Sequence, residues 1–114
     1  MELNIDQLIE DVKSTASEVI TKDVTTLRGF SNRQLRGIAT QSALVASGIA
    51  TGQIREGLRD FFLDQIVELV RNFVNTLVGL ALATIERLWN AIVNVIWGAI
   101  SRVTNIQLPA FNPL

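Results

Sequence analysis

Residues 60–105 read DFFLDQIVELVRNFVNTLVGLALATIERLWNAIVNVIWGAISRVTN, with no proline anywhere in the run. Its polar residues form a single track: Asp60, Asp64, Glu68, Arg71, Asn75 and Gly79, then Glu86, Asn90, Asn94, Ser101 and Asn105. With the gaps near 83 and 97 bridged, the steps average about 3.75 residues, so the track winds slowly around a straight helix. Most of the remaining circumference is apolar, from Phe61 and Phe62 through Val70, Phe73, Leu77 and Leu88 to Ile92, Ile96, Trp97 and Val103. Helical spacing sustained over this length predicts one helix from about Ile54 to Asn105, straight or bent. Unbroken, it would extend roughly 75 Å. A compact alternative breaks it near Gly79 into two antiparallel arms, but no turn signature flanks that glycine and the single helix is preferred.

Upstream, Ile5, Leu8, Ile9, Val12, Ala16, Val19, Ile20, Val24 and Leu27 recur at three- and four-residue steps. Acids, lysines and hydroxyl residues fill the faces between them, which predicts an amphipathic helix over about 6–28 with Gly29 as its stop signal. The β-branched Thr21, Val24, Thr25 and Thr26 weaken its last turns. Ser31-Asn32-Arg33-Gln34 has the spacing of a capping box and opens a second helix over about 31–51, closed by Gly52. That helix is rich in small residues, and Gly48 to Gly52 is a GxxxG spacing, which lets helix backbones approach closely. The only prolines, Pro109 and Pro113, lie in the tail Ile106-Gln107-Leu108-Pro109-Ala110-Phe111-Asn112-Pro113-Leu114. A tail this apolar predicts an extended arm with something to dock on. The expected fold is therefore all-α: two amphipathic helices, one long apolar helix and an extended C-terminal arm. Residues 1–105 form one helical domain and 106–114 the arm.

With 114 residues, 48% apolar and only 18% charged, the chain is one small domain with less charge than the quarter usual in soluble proteins. A private core of this size cannot hide every apolar side chain, so the excess is expected to meet another subunit or lipid. The chain has no His, Cys or Tyr. That removes Ser-His-Asp catalysis, imidazole acid–base chemistry, thiol nucleophiles, disulfides and zinc–cysteine sites. Charge is spread unevenly. Residues 1–27 hold Glu2, Asp6, Glu10, Asp11, Glu18 and Asp23 against Lys13 and Lys22, whereas residues 28–59 hold Arg28, Arg33, Arg36, Arg55 and Arg59 against Glu56. Complementary helix surfaces explain this asymmetry better than an arginine patch for nucleic acid or anionic lipid, and for nucleic acid the case is thin because no aromatic platform interleaves the arginines. The acidic opening Met1-Glu2-Leu3-Asn4-Ile5-Asp6 is unlike a signal peptide, which places the expected location in the cytoplasm or a virion. The charge-free stretches are 37–54, rich in polar residues, and 72–85 and 88–101, both short of the roughly 20 residues a membrane span needs.

No constellation carries chemistry. Asp60, Asp64 and Glu68 share one helix face, but Arg59 and Arg71 lie near them and a solvated or ion-paired face is the expected outcome. Lys22 has no companion to activate it, and the glycines are too scattered to cradle a phosphate. Catalytic, cofactor-binding and metal residues are accordingly expected to be none, with no cofactor and no small-molecule substrate. Trp89 and Trp97, two turns apart on an apolar stretch, suit an interface between helices. Glu86 and Arg87 require partners if that region is buried, and Asn75, Asn90 and Asn94 could fix register between copies or line a wet lumen.

The stretch from Phe61-Phe62-Leu63-Asp64 to Leu88-Trp89-Asn90-Ala91, with the proline-containing apolar end, resembles short helical proteins of unknown function encoded among bacteriophage structural genes. The resemblance spans residues 30–114 and rests on general pattern. It implies a virion-associated or assembly component and assigns no site residue. The resulting expectation is a non-enzymatic structural protein that self-associates or joins other subunits. Its interface would comprise Phe73, Leu77, Leu88, Trp89, Ile92, Ile96, Trp97 and Phe111. The alternative is a membrane-active helical protein whose polar track faces inward as a pore.

Overall fold

Local side-chain chemistry sets where the first two helices begin. Helix α1 (Ile5–Ile20) opens where the Gln7 backbone N–H donates to Asn4 Oδ1 at 3.0 Å. It closes at Thr21, which takes a left-handed φ of 58°. In this computed structural model, which describes residues 2–106 and 108, the first helix is thus eight residues shorter at its C-terminus than the expected 6–28. The reason lies in the residues that follow. The Val24 N–H donates to Ser17 Oγ at 3.0 Å, and Asp23 accepts from the Thr25 N–H at 2.9 Å and the Thr25 hydroxyl at 2.7 Å. These local bonds offer the β-branched run a 3-10 turn at Val24–Thr26 in place of another helical turn.

Helix α2 (Asn32–Ala50) starts at Ser31, whose Oγ accepts from the Gln34 N–H at 3.1 Å. Only that half of the capping box is formed as expected, because Gln34 Oε1 lies 3.4 Å from the Thr76 hydroxyl instead. The chain leaves α2 through Gly52, at φ +79°. The GxxxG spacing is not a helix–helix seam. Gly48 receives the Ile54 side chain from the following turn, and the Ile54 N–H donates to Gly48 O at 2.8 Å.

The single helix expected over 54–105 is corrected by the structure into two, α3 (Glu56–Asn75) and α4 (Leu82–Thr104). Residues 76–81 leave the helix, with Gly79 at φ +90°. Folding back lets each arm cover the other. Leu63, Ile66, Val70, Phe73 and Val74 of α3 and Leu88, Trp89, Ile92, Val93 and Ile96 of α4 are all buried in one core. The connection is also held from outside, since the Val78 N–H donates to Arg28 O at 2.9 Å. The polar track is cut at the break, its two halves lying on separate helices.

Helices α2 and α4 pack on each other at the centre, and α1 and α3 each pack on both of them. The assembly measures 41 × 26 × 19 Å with a radius of gyration of 13.7 Å, close to the roughly 13 Å of a compact chain this long. Ile106 and Leu108 rest half-buried against the core, whereas the arm beyond them, including Pro109, Phe111 and Pro113, lies outside the described residues.

Candidate interaction surfaces

The residues expected to form an intermolecular interface occupy the interior. Phe73, Leu77, Leu88, Trp89, Ile92 and Ile96 are between 0% and 4% exposed, so in the folded chain they face one another and not a neighbour. The cause of this burial within the chain is the fold-back at 76–81. Phe73 meets Phe30 edge-to-face with ring centroids 5.9 Å apart, and the Arg71 guanidinium lies 5.7 Å from the Trp89 ring centre. Trp97 is half-buried against the core. Phe111 lies outside the described residues.

The apolar side chains left on the surface are different ones, and they fall into two places. The first is the outer face of α2 and α3. Leu44 is 62% exposed on α2, and Leu58, Phe61 and Leu69 are 50%, 59% and 38% exposed on α3. Phe61 is held upright by Phe62, ring centroids 5.3 Å apart and nearly perpendicular. An open depression beside it is lined by Gln41, Phe61, Asp64, Gln65, Glu68 and Leu69, so the two helices present one continuous face. The second place is the α3–α4 connection, where Val78 is 51% and Leu82 71% exposed.

Electrostatics divides the first face in two. The only charges on α2 are Arg33 and Arg36, while α3 carries Glu56, Asp60, Asp64 and Glu68 against Arg59 and Arg71. Among the described residues the ion pairs are Lys13–Glu10 at 3.8 Å, Arg36–Asp6 at 3.2 Å and Arg71–Glu68 at 3.4 Å. Arg33, Asp60 and Asp64 belong to none of them. The row Asp60, Asp64 and Glu68 points to solvent from α3, and among the described residues no group of three or more acidic side chains is arranged to hold a metal ion. Of the asparagines considered for register, Asn75 and Asn94 are exposed and Asn90 is half-buried.

No family model, curated protein or solved structure matches the chain. Function must be read from these surfaces. Among the described residues no helix is long and apolar enough to cross a membrane. What the arrangement offers is contact area: one mixed apolar–charged helix face, and one apolar tip. Periodicity alone could have found the first, since Leu44 falls on the same side of α2 as Arg33, Thr40 and Thr51, a side otherwise polar or small.

Proposed function

We propose that this chain is a non-enzymatic assembly protein that self-associates through the outer face of α2 and α3. The observation that carries the reading is the exposed set Leu44, Leu58, Phe61 and Leu69, with Arg33 on α2, and Asp60 and Asp64 on α3, outside every ion pair among the described residues. A face that is positive on one half and negative on the other is complementary to itself about a two-fold axis, which is how most homodimers form. Moving such a side chain from half-exposed to buried is worth roughly 1 kcal/mol. Two copies supply two such rows, a gain comparable to the roughly 4–15 kcal/mol that association costs. The contact is therefore concentration-dependent and suited to building onto a larger structure. The resemblance of residues 30–114 to helical proteins encoded among phage structural genes supports a virion as that structure.

Absolute mass by light scattering after size exclusion, over a range of loading concentrations, tests the proposal. The mass should rise above the 12.6 kDa of one chain as concentration increases. Phe61→Asp with Leu44→Asp should hold it at one chain without loss of helicity, because both side chains lie outside the core. Wild-type protein that stays at 12.6 kDa at every concentration would overturn the reading.

A further inference from the structure

The α3–α4 connection reads Leu77-Val78-Gly79-Leu80-Ala81-Leu82-Ala83, seven residues without a polar side chain. Connections between helices run over the surface and are ordinarily polar. Here Leu77 alone is buried, Leu80 is half-buried, and Val78, Ala81, Leu82 and Ala83 are exposed, with Leu82 at 71% the most exposed large apolar residue described. Three arginines belong to the segments that meet at this tip. Arg28 is tied to it by the Val78 N–H···O bond at 2.9 Å. Arg33 neighbours Gln34, whose side chain meets Thr76, and Arg87 follows Leu82 by one and a half helical turns. All three arginines are exposed, whereas Glu86, the acid nearest in sequence on α4, is half-buried. Farther along the α1–α2 connection, Lys22 and Asp23 cancel each other.

We propose that the Val78–Leu82 tip docks on an anionic lipid surface, with Leu82 and Val78 entering the headgroup–acyl boundary and Arg28, Arg33 and Arg87 facing the anionic headgroups. An apolar wedge with exposed arginines on the segments beside it has the two components that interfacial binding combines. The wedge is too shallow to span, in agreement with the lack of a membrane-crossing helix among the described residues. The apolar centre of this surface, Val78 and Leu82, is separate from the α2–α3 face, although Arg33 borders both, and the inference does not depend on self-association.

Flotation of the full chain with phosphatidylcholine vesicles, with and without phosphatidylglycerol, tests it. Wild type should float with the anionic vesicles at low salt and remain behind with the neutral ones. Leu82→Asp should reduce the bound fraction at least about tenfold, and it keeps the fold because an acid in the first turn of α4 is favoured by the helix dipole. Arg28→Gln and Arg87→Gln should each weaken partitioning roughly fivefold, with the loss shrinking as salt rises. Absence of flotation with anionic vesicles overturns the proposal, as does flotation that Leu82→Asp leaves unchanged. A Leu82→Asp effect on light-scattering mass without vesicle binding would make the tip a protein contact and overturn it as well. Phe61→Asp should still float, which separates this proposal from the self-association reading.

Discussion

Gly29 is the position where the fold leaves least room. Its φ is +88°, and a Cβ built there would overlap the Thr76 carbonyl oxygen and stand 2.8 Å from the Thr76 carbonyl carbon. Gly29→Ala would therefore act in three ways. The left-handed backbone costs an L-residue about 1–2 kcal/mol. The overlap is with backbone, so no side-chain rotation relieves it and the two connections must separate. Separation strains the Val78 N–H···O=C Arg28 bond, worth about 1 kcal/mol. The expected loss is about 3–5 kcal/mol, a large part of the roughly 5–15 kcal/mol that holds a domain folded. Gly79→Ala is the control, since Gly79 also has positive φ, +90°, but nothing lies within 4 Å of its Cβ position. It should lose only the dihedral cost of about 1–2 kcal/mol. Gly57→Ala, in the first turn of α3 with open space around it, should be neutral or stabilising by up to about 1 kcal/mol. Urea unfolding followed by far-ultraviolet circular dichroism reads all three. With a slope of about 2 kcal/mol/M, the midpoint for Gly29→Ala should fall by about 1.5–2.5 M. Equal losses at Gly29 and Gly79 would refute the reasoning, because they would mean that the 27–31 segment does not press on Thr76.

Two further outcomes follow from the caps. Ser31→Ala removes the acceptor for the Gln34 N–H and should cost about 1 kcal/mol, seen as a fall of about 4 °C in Tm by calorimetry. The Thr25 hydroxyl and N–H hold the Asp23 carboxyl below its ordinary value of 3.8, so its contribution is complete above that value and is lost as pH falls through the lower folded one. Asp23→Asn should flatten the acid limb of Tm against pH relative to wild type, and superimposable acid limbs would count against the Thr25 bonds.

The helical class, the start of α2 at Ser31 and its exit through Gly52 were legible because each is a local signal, whereas α1 stops at Thr21 and not at Gly29. The break at 76–81 was not. Apolar spacing continues through it, and Leu77, Val78, Leu80 and Leu82 are residues of helix interiors. What fixes the turn is long-range: Gly29 against Thr76 and the Arg28–Val78 bond join segments about fifty residues apart in sequence. The same cause displaced the expected interface. Hydrophobicity selected Phe73, Leu88, Trp89, Ile92 and Ile96 correctly as side chains that must be covered, but sequence does not say whether the cover is a neighbour or the chain's own other arm. With a continuous helix it would have been a neighbour. Once the helix folds back, the surface of interest becomes the remainder, including Leu44 and Phe61, which a reading that treats the apolar circumference as one face has no reason to separate from the core.

The composition of the tip is not dictated by the fold. Helix α4 begins at Ala81 without a capping side chain, although Ser, Asp or Asn at that position would satisfy an unpaired N–H and add about 1 kcal/mol. Leu82, at 71% exposed, buries little in return. Polar residues at the exposed positions 78, 81 and 82 would turn the chain equally well, since Gly79 supplies the positive φ and the Val78 link uses only backbone atoms. An apolar residue at position 82 and an uncapped helix start are thus both unfavourable for an isolated soluble domain, and they occur next to each other on the one connection that also carries exposed Val78. Local choices that run against stability concentrate where a protein meets something else. On α2 and α3 the exposed apolar side chains are interspersed with Gln41, Asp64, Gln65 and Glu68, as suits a contact that forms and dissolves in water. At the tip no polar side chain interrupts the seven residues, and of the two charges that follow it on α4 the acid, Glu86, is half-buried while Arg87 is exposed. That difference in composition between the two exposed surfaces is the reason for assigning a protein to the first and a lipid surface to the second.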